Sequence, residues 1–489
     1  MSLDAAACYR ALCARDTRFD GVFYVAVTST GVYCRPICPA RTPRASSCEF
    51  YPSAALAERA GFRACLRCRP ELAPGLASVD AVSRLAQAAA ARIDAGFLND
   101  HGLDELADSL GVTSRHLRRA VQQQLGASPV ELAQHRRLAL AKHLLQDSTL
   151  SVTDVAYASG FGSVRRFNTL VQQRFGRAPS ALRRTRAAAS RSNGHDSETV
   201  DVRLDYRPPL DFAALLSFLR GRAIAGVEHV TDTHYRRSVV LDDTHGMLEV
   251  SADPARHALR LRISLSLANK LMPLVARVRA LFDLDARPDL IAAHLGRDPV
   301  LRKLVKARPG LRVPGAFDGF ETAVRAVLGQ QVSVRGATTL SGRVATRFGR
   351  ELPELDDNAC TRAFPDAACF ARLSLADVRA IGLPEARART LLALAEAVAS
   401  QRSKLEAGGD PEAAITELQR LPGIGPWTAQ YLGMRVLRWP DSFPAGDLVL
   451  RKALGMPSER AAEQRAEAWR PFRAYAVMHL WASTTKPGG

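Results

Sequence analysis

Four cysteines in two close pairs are the residues of this sequence best suited to bind a metal. Three residues separate Cys34 from Cys38, and two separate Cys65 from Cys68. Two such pairs supply the four thiolates of a tetrahedral Zn²⁺ site. On spacing alone, a zinc ion that only stabilises a small domain is the default interpretation. The other cysteines lack paired spacing, and we expect them to be packing residues: Cys8, Cys13, Cys48, Cys360 and Cys369.

A second candidate site combines a glycine turn with aromatic and acidic residues. Gly423 and Gly425 flank Ile424, and Trp427 and Asp447 follow in the sequence. Glycines in such a turn let backbone amides approach a phosphate without obstruction by side chains. A Pro-Gly-x-Gly sequence also occurs in ordinary turns between helices, so its meaning depends on the residues around it.

Two copies of a helical unit, about 50 residues apart, lie between the two candidate sites. The pattern predicts helices over 103–110 and 113–125 joined by Gly111-Val112, with Thr113 or Ser114 as the cap of the second helix. The same scheme returns as 152–159 and 163–175. The second helix of each pair begins with basic residues, which we expect to contact DNA bases and phosphates: Arg115, Arg118 and Arg119 in one, and Arg165 and Arg166 in the other. A merely solvated basic face is the alternative.

Composition favours a multidomain protein that binds a polyanion. The chain has 489 residues, 67 Lys and Arg against 49 Asp and Glu, and a formal net charge of +18. That length exceeds what one hydrophobic core usually supports. Nucleic acid is the commonest intracellular polyanion, and a membrane surface is the weaker alternative. No apolar run approaches the roughly 20 residues of a membrane span, and the N-terminus lacks the apolar region of a signal peptide. We expect a cytoplasmic location, at the nucleoid.

The cysteine-rich segment resembles the N-terminal domain of the Ada family. The likeness covers about 70 residues and is carried by 23–36 and 61–70, which include both cysteine pairs. It implies that Cys34 accepts a methyl group from a methyl phosphotriester in DNA, once per protein, while zinc bound by four cysteines keeps it a thiolate. Arg35, Arg41 and Arg44 are predicted to hold neighbouring phosphates, with an ordinary basic loop as the alternative.

The tandem helical units resemble the AraC-type DNA-binding domain over about 100 residues. The second unit carries the likeness through 156–161, Phe167 and 176–179. Ada proteins often continue into an O6-alkylguanine methyltransferase with a Pro-Cys-His-Arg motif. This sequence has no such motif, so we predict that direct repair of O6-methylguanine is absent.

Residues from about 200 to 485 resemble AlkA-type DNA glycosylases with a helix-hairpin-helix. The likeness includes 308–315, 326–333 and 475–481, and Asp447 lies 20 residues after Trp427, as in that superfamily. It implies that Asp447 stabilises the deoxyribose cation as the bond to an alkylated base breaks. Trp427, Tyr431 and Trp481 match pocket aromatics that stack on a cationic base, although singly each is more often a core residue. Gly423 and Gly425 are predicted to contact DNA.

Three features concern the limits of this resemblance. Gly446 stands where an acidic residue can precede the catalytic aspartate, and Gln331 stands where a leucine can act as the intercalating wedge. Cysteines with iron–sulfur spacing are missing near the C-terminus. Bifunctional relatives place a Schiff-base lysine at the position of Trp427, which predicts a monofunctional glycosylase.

The predicted fold class is multidomain α+β, with five segments. They are a four-cysteine zinc domain (1–76), an all-α tandem helix-turn-helix domain (77–186), a linker (187–199), a small α/β domain that is TBP-like (200–268), and an all-α helix-hairpin-helix domain (269–489). The small polar composition of 187–199 is typical of a flexible linker.

Together the resemblances imply a DNA-3-methyladenine glycosylase II that is also a methyl-accepting activator of the adaptive response. Its partners would be double-stranded DNA, damaged or promoter, and RNA polymerase. Its cofactor would be one Zn²⁺, and the hairpin is also a candidate site for a monovalent cation. The alternative is a methylation-responsive transcription factor whose glycosylase half is weak or serves as a DNA clamp. A glycosylase with a degenerate sensor is a third interpretation, disfavoured by the intact set of four cysteines.

Overall fold

The computed structural model describes residues 3–75, 84–183, 199–353, 355 and 359–484. These residues form two compact units, Met1–Pro208 with Asp253–Ala276, and Pro209–Ala252 with Arg277–Gly489. The units contain a small sheet beside a four-cysteine cluster, a helical region, further strands and a large helical region, which confirms the mixed α+β class. Of the predicted linker, 187–198 lie outside the described residues, and Thr199 begins a strand.

The first unit begins with a helix and a four-stranded sheet in the order β3-β1-β2-β4. Strand β1 pairs antiparallel with both β2 and β3, whereas β2 and β4 are parallel, with Tyr33 opposite Ala64. The parallel pairing brings the carboxyl ends of β2 and β4 together, and Cys34 and Cys65 lie at those ends. The elements are α1 (Ala5–Cys13), β1 (Tyr24–Val27), β2 (Val32–Cys34), β3 (Cys48–Tyr51), α2 (Ala54–Arg59) and β4 (Arg63–Ala64).

Eight helices follow, and they contain the two predicted helix-turn-helix pairs. The helices are α3 (Arg84–Asp94), α4 (Phe97–Asp100), α5 (Leu103–Ser109), α6 (Ser114–Leu125), α7 (Pro129–Asp147), α8 (Val152–Ala158), α9 (Val164–Phe175) and α10 (Pro179–Leu182). Thr113 caps α6 by accepting a hydrogen bond from the His116 amide, and Ser163 caps α9 in the same way. Gly111 and Gly160 take positive φ angles of 70° and 80° in the turns before these helices. The predicted repeat is confirmed at both turns.

The first unit also contains a two-stranded antiparallel ladder. Strand β5 (Thr199–Asp205) pairs with β9 (Ala258–Ser264) along its whole length, from Thr199 opposite Ser264 to Asp205 opposite Ala258. The alternating burial of β5 matches the alternation of apolar and polar residues that predicted a half-buried strand. The two units divide the predicted domain 200–268, since 209–252 belong to the second unit. The predicted domain boundaries therefore stay predictions.

The second unit starts with a helix and three antiparallel strands. These are α11 (Phe212–Arg220), capped by Asp211, then β6 (Glu228–Val230), β7 (His234–Leu241) and β8 (Thr244–Asp253), of which β7 pairs with both β6 and β8. Helix α12 (Leu271–Leu281) crosses the boundary between the units.

The rest of the second unit is helical, as predicted for the sequence after about residue 270. The helices are α13 (Pro288–Leu295), α14 (Pro299–Ala307), α15 (Gly319–Leu328), α16 (Val334–Phe348), α17 (Ala367–Ala371), α18 (Leu375–Arg379), α19 (Glu385–Ala399), α20 (Pro411–Gln419), α21 (Pro426–Arg435), α22 (Leu448–Leu454), α23 (Glu459–Ala466) and α24 (Arg473–Thr484). Apolar faces of α15, α16, α19 and α21 share one core cluster. Among the described residues, none of the helices is long and apolar enough to cross a bilayer.

Candidate functional site

The two cysteine pairs converge on one cluster. The sulfur atoms of Cys34, Cys38, Cys65 and Cys68 all lie within 4.8 Å of one another. A tetrahedral zinc with Zn–S bonds of about 2.3 Å separates its sulfur ligands by roughly 3.8 Å, so a small closure of the cluster accommodates the ion. The chemistry of four thiols also fits Zn²⁺. The cluster is therefore a site for one zinc ion.

The four sulfurs differ in exposure and in hydrogen bonding. Cys38, Cys65 and Cys68 are buried, whereas Cys34 is partly exposed. The backbone N–H of Arg35 donates to Cys68 Sγ and that of Arg67 donates to Cys65 Sγ, each at 3.4 Å. In the part of the chain that the structure describes, no backbone N–H hydrogen bond to Cys34 Sγ is found. Hydrogen bonds to a thiolate disperse its negative charge and weaken it as a nucleophile, so Cys34 is the sulfur best placed to react.

Arg35 requires a correction to the predicted phosphate contacts. Its side chain is 2% exposed, and its guanidinium forms ion pairs with Asp20 and with Asp205 of β5, the latter at 2.9 Å. With both carboxylates in place, the Arg35 guanidinium cannot reach a phosphate at the surface. Arg41 and Arg44 are exposed and keep their predicted role. The sequence contains no local signal for the Arg35–Asp205 pair, because the partners are 170 residues apart.

Glu58 on α2 connects the zinc segment to the helix-turn-helix helices within the first unit. The Tyr33 hydroxyl, next to Cys34, donates to Glu58 Oε1 at 2.8 Å, and His135 Nδ1 of α7 lies 2.6 Å from Glu58 Oε2. Arg174 of α9 forms an ion pair with the same carboxylate. Burial lowers the pKa of His135 to about 3, with a further contribution from Arg136, so the imidazole is neutral and donates to Glu58. A chain of polar contacts thus runs from the residue beside Cys34 to the second recognition helix.

The basic residues at the starts of α6 and α9 are exposed. Arg115, Arg118 and Arg119 on α6 and Arg165 and Arg166 on α9 all have solvent-accessible side chains. Leu117 and Phe167, on the opposite faces of these helices, are fully buried. Each helix therefore packs through one face and presents its arginines on the other, as a recognition helix requires.

The glycine turn between α20 and α21 forms the predicted hairpin. Gly423 has a φ of 81°, and a Cβ there would lie 2.0 Å from Thr390 Oγ1, so both backbone conformation and space require glycine. Gly425 caps α21 with an ordinary φ of −85°, and a Cβ there would meet nothing within 4 Å. Both glycines are exposed. The turn can therefore receive a phosphate close to its backbone.

Gln331 lies at the tip of the turn between α15 and α16, next to the hairpin. It is exposed and has a positive φ of 57°, a strained conformation for a residue other than glycine. Its neighbour Gln330 ties the turn to the hairpin through hydrogen bonds from Nε2 to the Gly423 carbonyl at 2.9 Å and to Thr428 Oγ1 at 3.0 Å. This strain and support are consistent with a residue that is held outward, as the predicted wedge position requires.

The predicted catalytic carboxylate is fixed by two predicted pocket residues. Trp427 Nε1 donates to Asp447 Oδ2, and Trp481 Nε1 donates to Asp447 Oδ1, both at 3.1 Å. Asp447 also caps α22, because Oδ1 accepts from the Leu450 amide at 2.8 Å. All the donors here are N–H groups, which favour the ionised form of a carboxylate. The arrangement holds one negative charge at the edge of an aromatic cluster.

Tyr431 completes that cluster. Its ring stacks on Trp427 with centroids 5.5 Å apart and 15° between the planes, and it lies 6.4 Å from the Trp481 ring. Burial raises the pKa of Tyr431, but the positive charges of Arg435, Arg222 and Arg325 outweigh it and leave the pKa below its ordinary value. The sequence predicted the three aromatic rings and not the arginines beside them.

Gly446 has an acidic neighbour from another helix. A Cβ at Gly446 would lie 2.9 Å from Glu459 Oε1, at the start of α23. The carboxylate that is absent from position 446 in the sequence is therefore replaced by one that approaches the same backbone position from α23.

Comparisons with known families agree with these sites. Residues 7–71 match the metal binding domain of Ada, and 106–185 match a helix-turn-helix domain. Residues 201–318 match the AlkA N-terminal domain, and 324–470 match the HhH-GPD superfamily of base excision DNA repair proteins. Fold and sites thus define a DNA-repair protein with a zinc-binding segment and a helix-turn-helix.

The chain belongs to the family of bifunctional transcriptional activator/DNA repair enzymes of the AlkA type. It is 42% identical over 484 residues to the probable bifunctional transcriptional activator/DNA repair enzyme AlkA of Mycobacterium tuberculosis, covering 98% of this chain and 96% of the relative. It is 38% identical to DNA-3-methyladenine glycosylase 2 of Escherichia coli, covering 57% of this chain and 95% of the relative. Among solved structures, a 3-methyladenine DNA glycosylase from Archaeoglobus fulgidus matches with 20% identity and a TM-score of 0.49, over 57% of this chain and 97% of that one.

Proposed function

We propose that this protein releases alkylated bases of the 3-methyladenine type from DNA and accepts a methyl group from DNA methylphosphotriesters onto Cys34, which makes it a transcriptional activator of the adaptive response. The observation that carries the proposal is the Asp447 carboxylate, which receives hydrogen bonds from the Trp427 and Trp481 indoles at 3.1 Å. A carboxylate held among aromatic rings is suited to a reaction that creates positive charge on a sugar.

Asp447 performs electrostatic catalysis in this proposal. The C1′–N bond breaks with both electrons on the base, and the deoxyribose becomes cationic. A fixed carboxylate stabilises that charge without reorganisation, and it orients the water that attacks C1′. An N3- or N7-alkylated purine leaves as a neutral molecule and needs little help from an acid. Trp427, Tyr431 and Trp481 are the rings proposed to stack on the base.

The glycosylase is proposed to be monofunctional. The hairpin carries Trp427 where a Schiff-base lysine would stand in bifunctional relatives, and the Trp427 ring stacks on Tyr431. The DNA contacts proposed for this half are Gly423, Gly425 and, at the wedge position, Gln331. A monovalent cation at the hairpin stays a prediction.

Cys34 is the methyl acceptor in the other half. Its sulfur attacks the methyl carbon of a phosphotriester, an S–CH₃ bond forms, the CH₃–O bond breaks, and the phosphate leaves as a diester anion. Bound Zn²⁺ would be held by Cys34, Cys38, Cys65 and Cys68 and would keep the sulfurs as thiolates. The product is a thioether, so each protein reacts once. Partial exposure of Cys34 beside three buried cysteines supports this choice of nucleophile.

Transcriptional control is assigned to the first unit. The exposed arginines of α6 and α9 are proposed to bind promoter DNA, and RNA polymerase is the proposed protein partner. The polar chain Tyr33–Glu58–Arg174 supplies a physical connection between the methyl acceptor and α9.

One experiment tests both activities. The purified protein is incubated with duplexes that each carry one defined lesion, and released base and protein methylation are measured separately, with borohydride added to trap any Schiff base. Base release without trapped adduct, together with one methyl on Cys34, is expected. Promoter binding without base release would favour the alternative in which the glycosylase half is a DNA clamp.

A further inference from the structure

Three arginines surround the Tyr431 hydroxyl at the base pocket. We call Arg222, Arg325 and Arg435 the arginine cluster. Arg435 Nη1 lies 2.6 Å from Tyr431 Oη, and the Arg435 guanidinium is 5.6 Å from the centre of the Tyr431 ring. The Arg222 and Arg435 guanidiniums both lie against Phe218, at 3.7 and 4.8 Å from its ring centre. The cluster is therefore one ring away from Trp427 and from the proposed base position.

The arginine cluster has no ion-paired carboxylate among the residues that the structure describes. Arg222 donates to the Phe218 carbonyl, Arg435 to the Pro314 and Gly315 carbonyls, and Arg325 to Thr338 Oγ1 at 2.9 Å. Arg325 Nη1 is buried without a hydrogen-bond partner. Burial lowers the pKa of Arg222 to about 10, which still leaves it cationic at neutral pH. Three positive charges thus lie behind the pocket.

This charge affects damaged bases differently according to their own charge. A cationic alkylpurine becomes neutral as the C1′–N bond breaks, so nearby positive charges oppose its binding and do not assist its departure. A neutral damaged base keeps both electrons of the bond and leaves as an anion, which takes its proton from the attacking water. Positive charges in a water-poor pocket stabilise that anion as it forms. The arginine cluster is thus suited to the departure of neutral bases.

We propose that Arg222 and Arg325 determine the charge selectivity of the glycosylase, favouring excision of damaged bases that are neutral when bound. The proposal rests on the glycosylase function proposed above. Arg435 is excluded from the test, because its contacts with Pro314 and Gly315 give it a role in packing. Arg222 and Arg325 act through the field at the pocket, so the sign of their charge is the property to vary.

The test compares single-turnover excision of hypoxanthine, which is neutral, and 7-methylguanine, which is cationic, from matched duplexes. Arg222→Met and Arg325→Met should each lower hypoxanthine excision about tenfold or more, while 7-methylguanine excision is unchanged or faster. Arg222→Lys and Arg325→Lys, which keep the charge, should retain most of the hypoxanthine activity and control for lost packing.

Equal losses for the two bases, lysine variants that behave like the methionine variants, or a wild-type protein with no measurable hypoxanthine excision would overturn the selectivity proposal. Each of these results leaves the proposed function intact if wild-type protein still releases 7-methylguanine. Failure of the wild-type protein to release 7-methylguanine would instead count against the proposed function itself.

Discussion

The Trp427 indole N–H donates a hydrogen bond of 3.1 Å to Asp447 Oδ2, so one ring of the proposed base pocket also orients the proposed catalytic carboxylate. Trp481 does the same for Oδ1. Base binding and charge stabilisation are therefore coupled through two side chains. Damage to either indole should affect catalysis and not only the affinity for the base.

Trp427→Phe keeps an aromatic ring and removes the hydrogen-bond donor to Asp447. Since a hydrogen bond to a charged group contributes about 1.5–3 kcal/mol, single-turnover release of 3-methyladenine should fall at least about tenfold. Trp439→Phe, at a partly buried ring in the core of the same unit, is the matched control and should keep its activity. Equal rates for Trp427→Phe and wild type would contradict the orienting role.

Gly423 and Gly425 should respond differently to alanine. Gly423→Ala puts a Cβ at a φ of 81° and 2.0 Å from Thr390 Oγ1, so it should lower the free energy of unfolding by about 1–3 kcal/mol. Gly425→Ala has open space at a φ of −85°, so its stability should change by less than about 1 kcal/mol while DNA affinity falls. Urea unfolding and DNA titration measure the two effects. Full DNA affinity of Gly425→Ala would argue against phosphate contact at this turn.

Much of this site was predictable, because its residues lie in short local patterns. The cysteine spacing predicted one cluster, and Thr113 was predicted as a cap from its place after the Gly111 turn. Asp447, Trp427 and Trp481 were each proposed from a motif, although the hydrogen bonds that join them were not. The burial of Arg35 could not be predicted, since its partner Asp205 is on a strand 170 residues away. Pairing between distant residues depends on tertiary packing, which local spacing does not report.

Methyl acceptance should be confined to Cys34. After incubation with DNA that carries methylphosphotriesters, peptide mapping should find one methyl per protein, on Cys34, because this sulfur is the exposed member of the cluster. Cys34→Ala should accept none, and Cys48→Ala, outside the cluster, should accept a full equivalent. Methyl groups on Cys38, Cys65 or Cys68, or repeated turnover, would show that the nucleophile is misassigned.

Methylation should strengthen promoter binding in a salt-dependent way. Four thiolates on Zn²⁺ carry a formal charge of −2, and a thioether at Cys34 brings it to −1, which reduces repulsion of the DNA backbone. Promoter affinity should be higher for methylated than for unmethylated protein, and the ratio should shrink as ionic strength rises. Zinc-loaded Cys34→Ala, which loses the same charge, should bind like the methylated form. Equal affinities before and after methylation would exclude this electrostatic switch.

The most direct measurement of the central claim is the single-turnover rate of 3-methyladenine release by Asp447→Asn. Asparagine is also a good helix N-cap, so the variant should keep α22 and lose mainly the negative charge. Asp366→Asn changes an aspartate that caps α17 by the same kind of hydrogen bond and serves as the control for stability. The account predicts at least about a 100-fold loss of rate for Asp447→Asn, with DNA binding largely intact. A variant that retained more than about a tenth of the wild-type rate would contradict the assignment of Asp447 as the electrostatic catalyst.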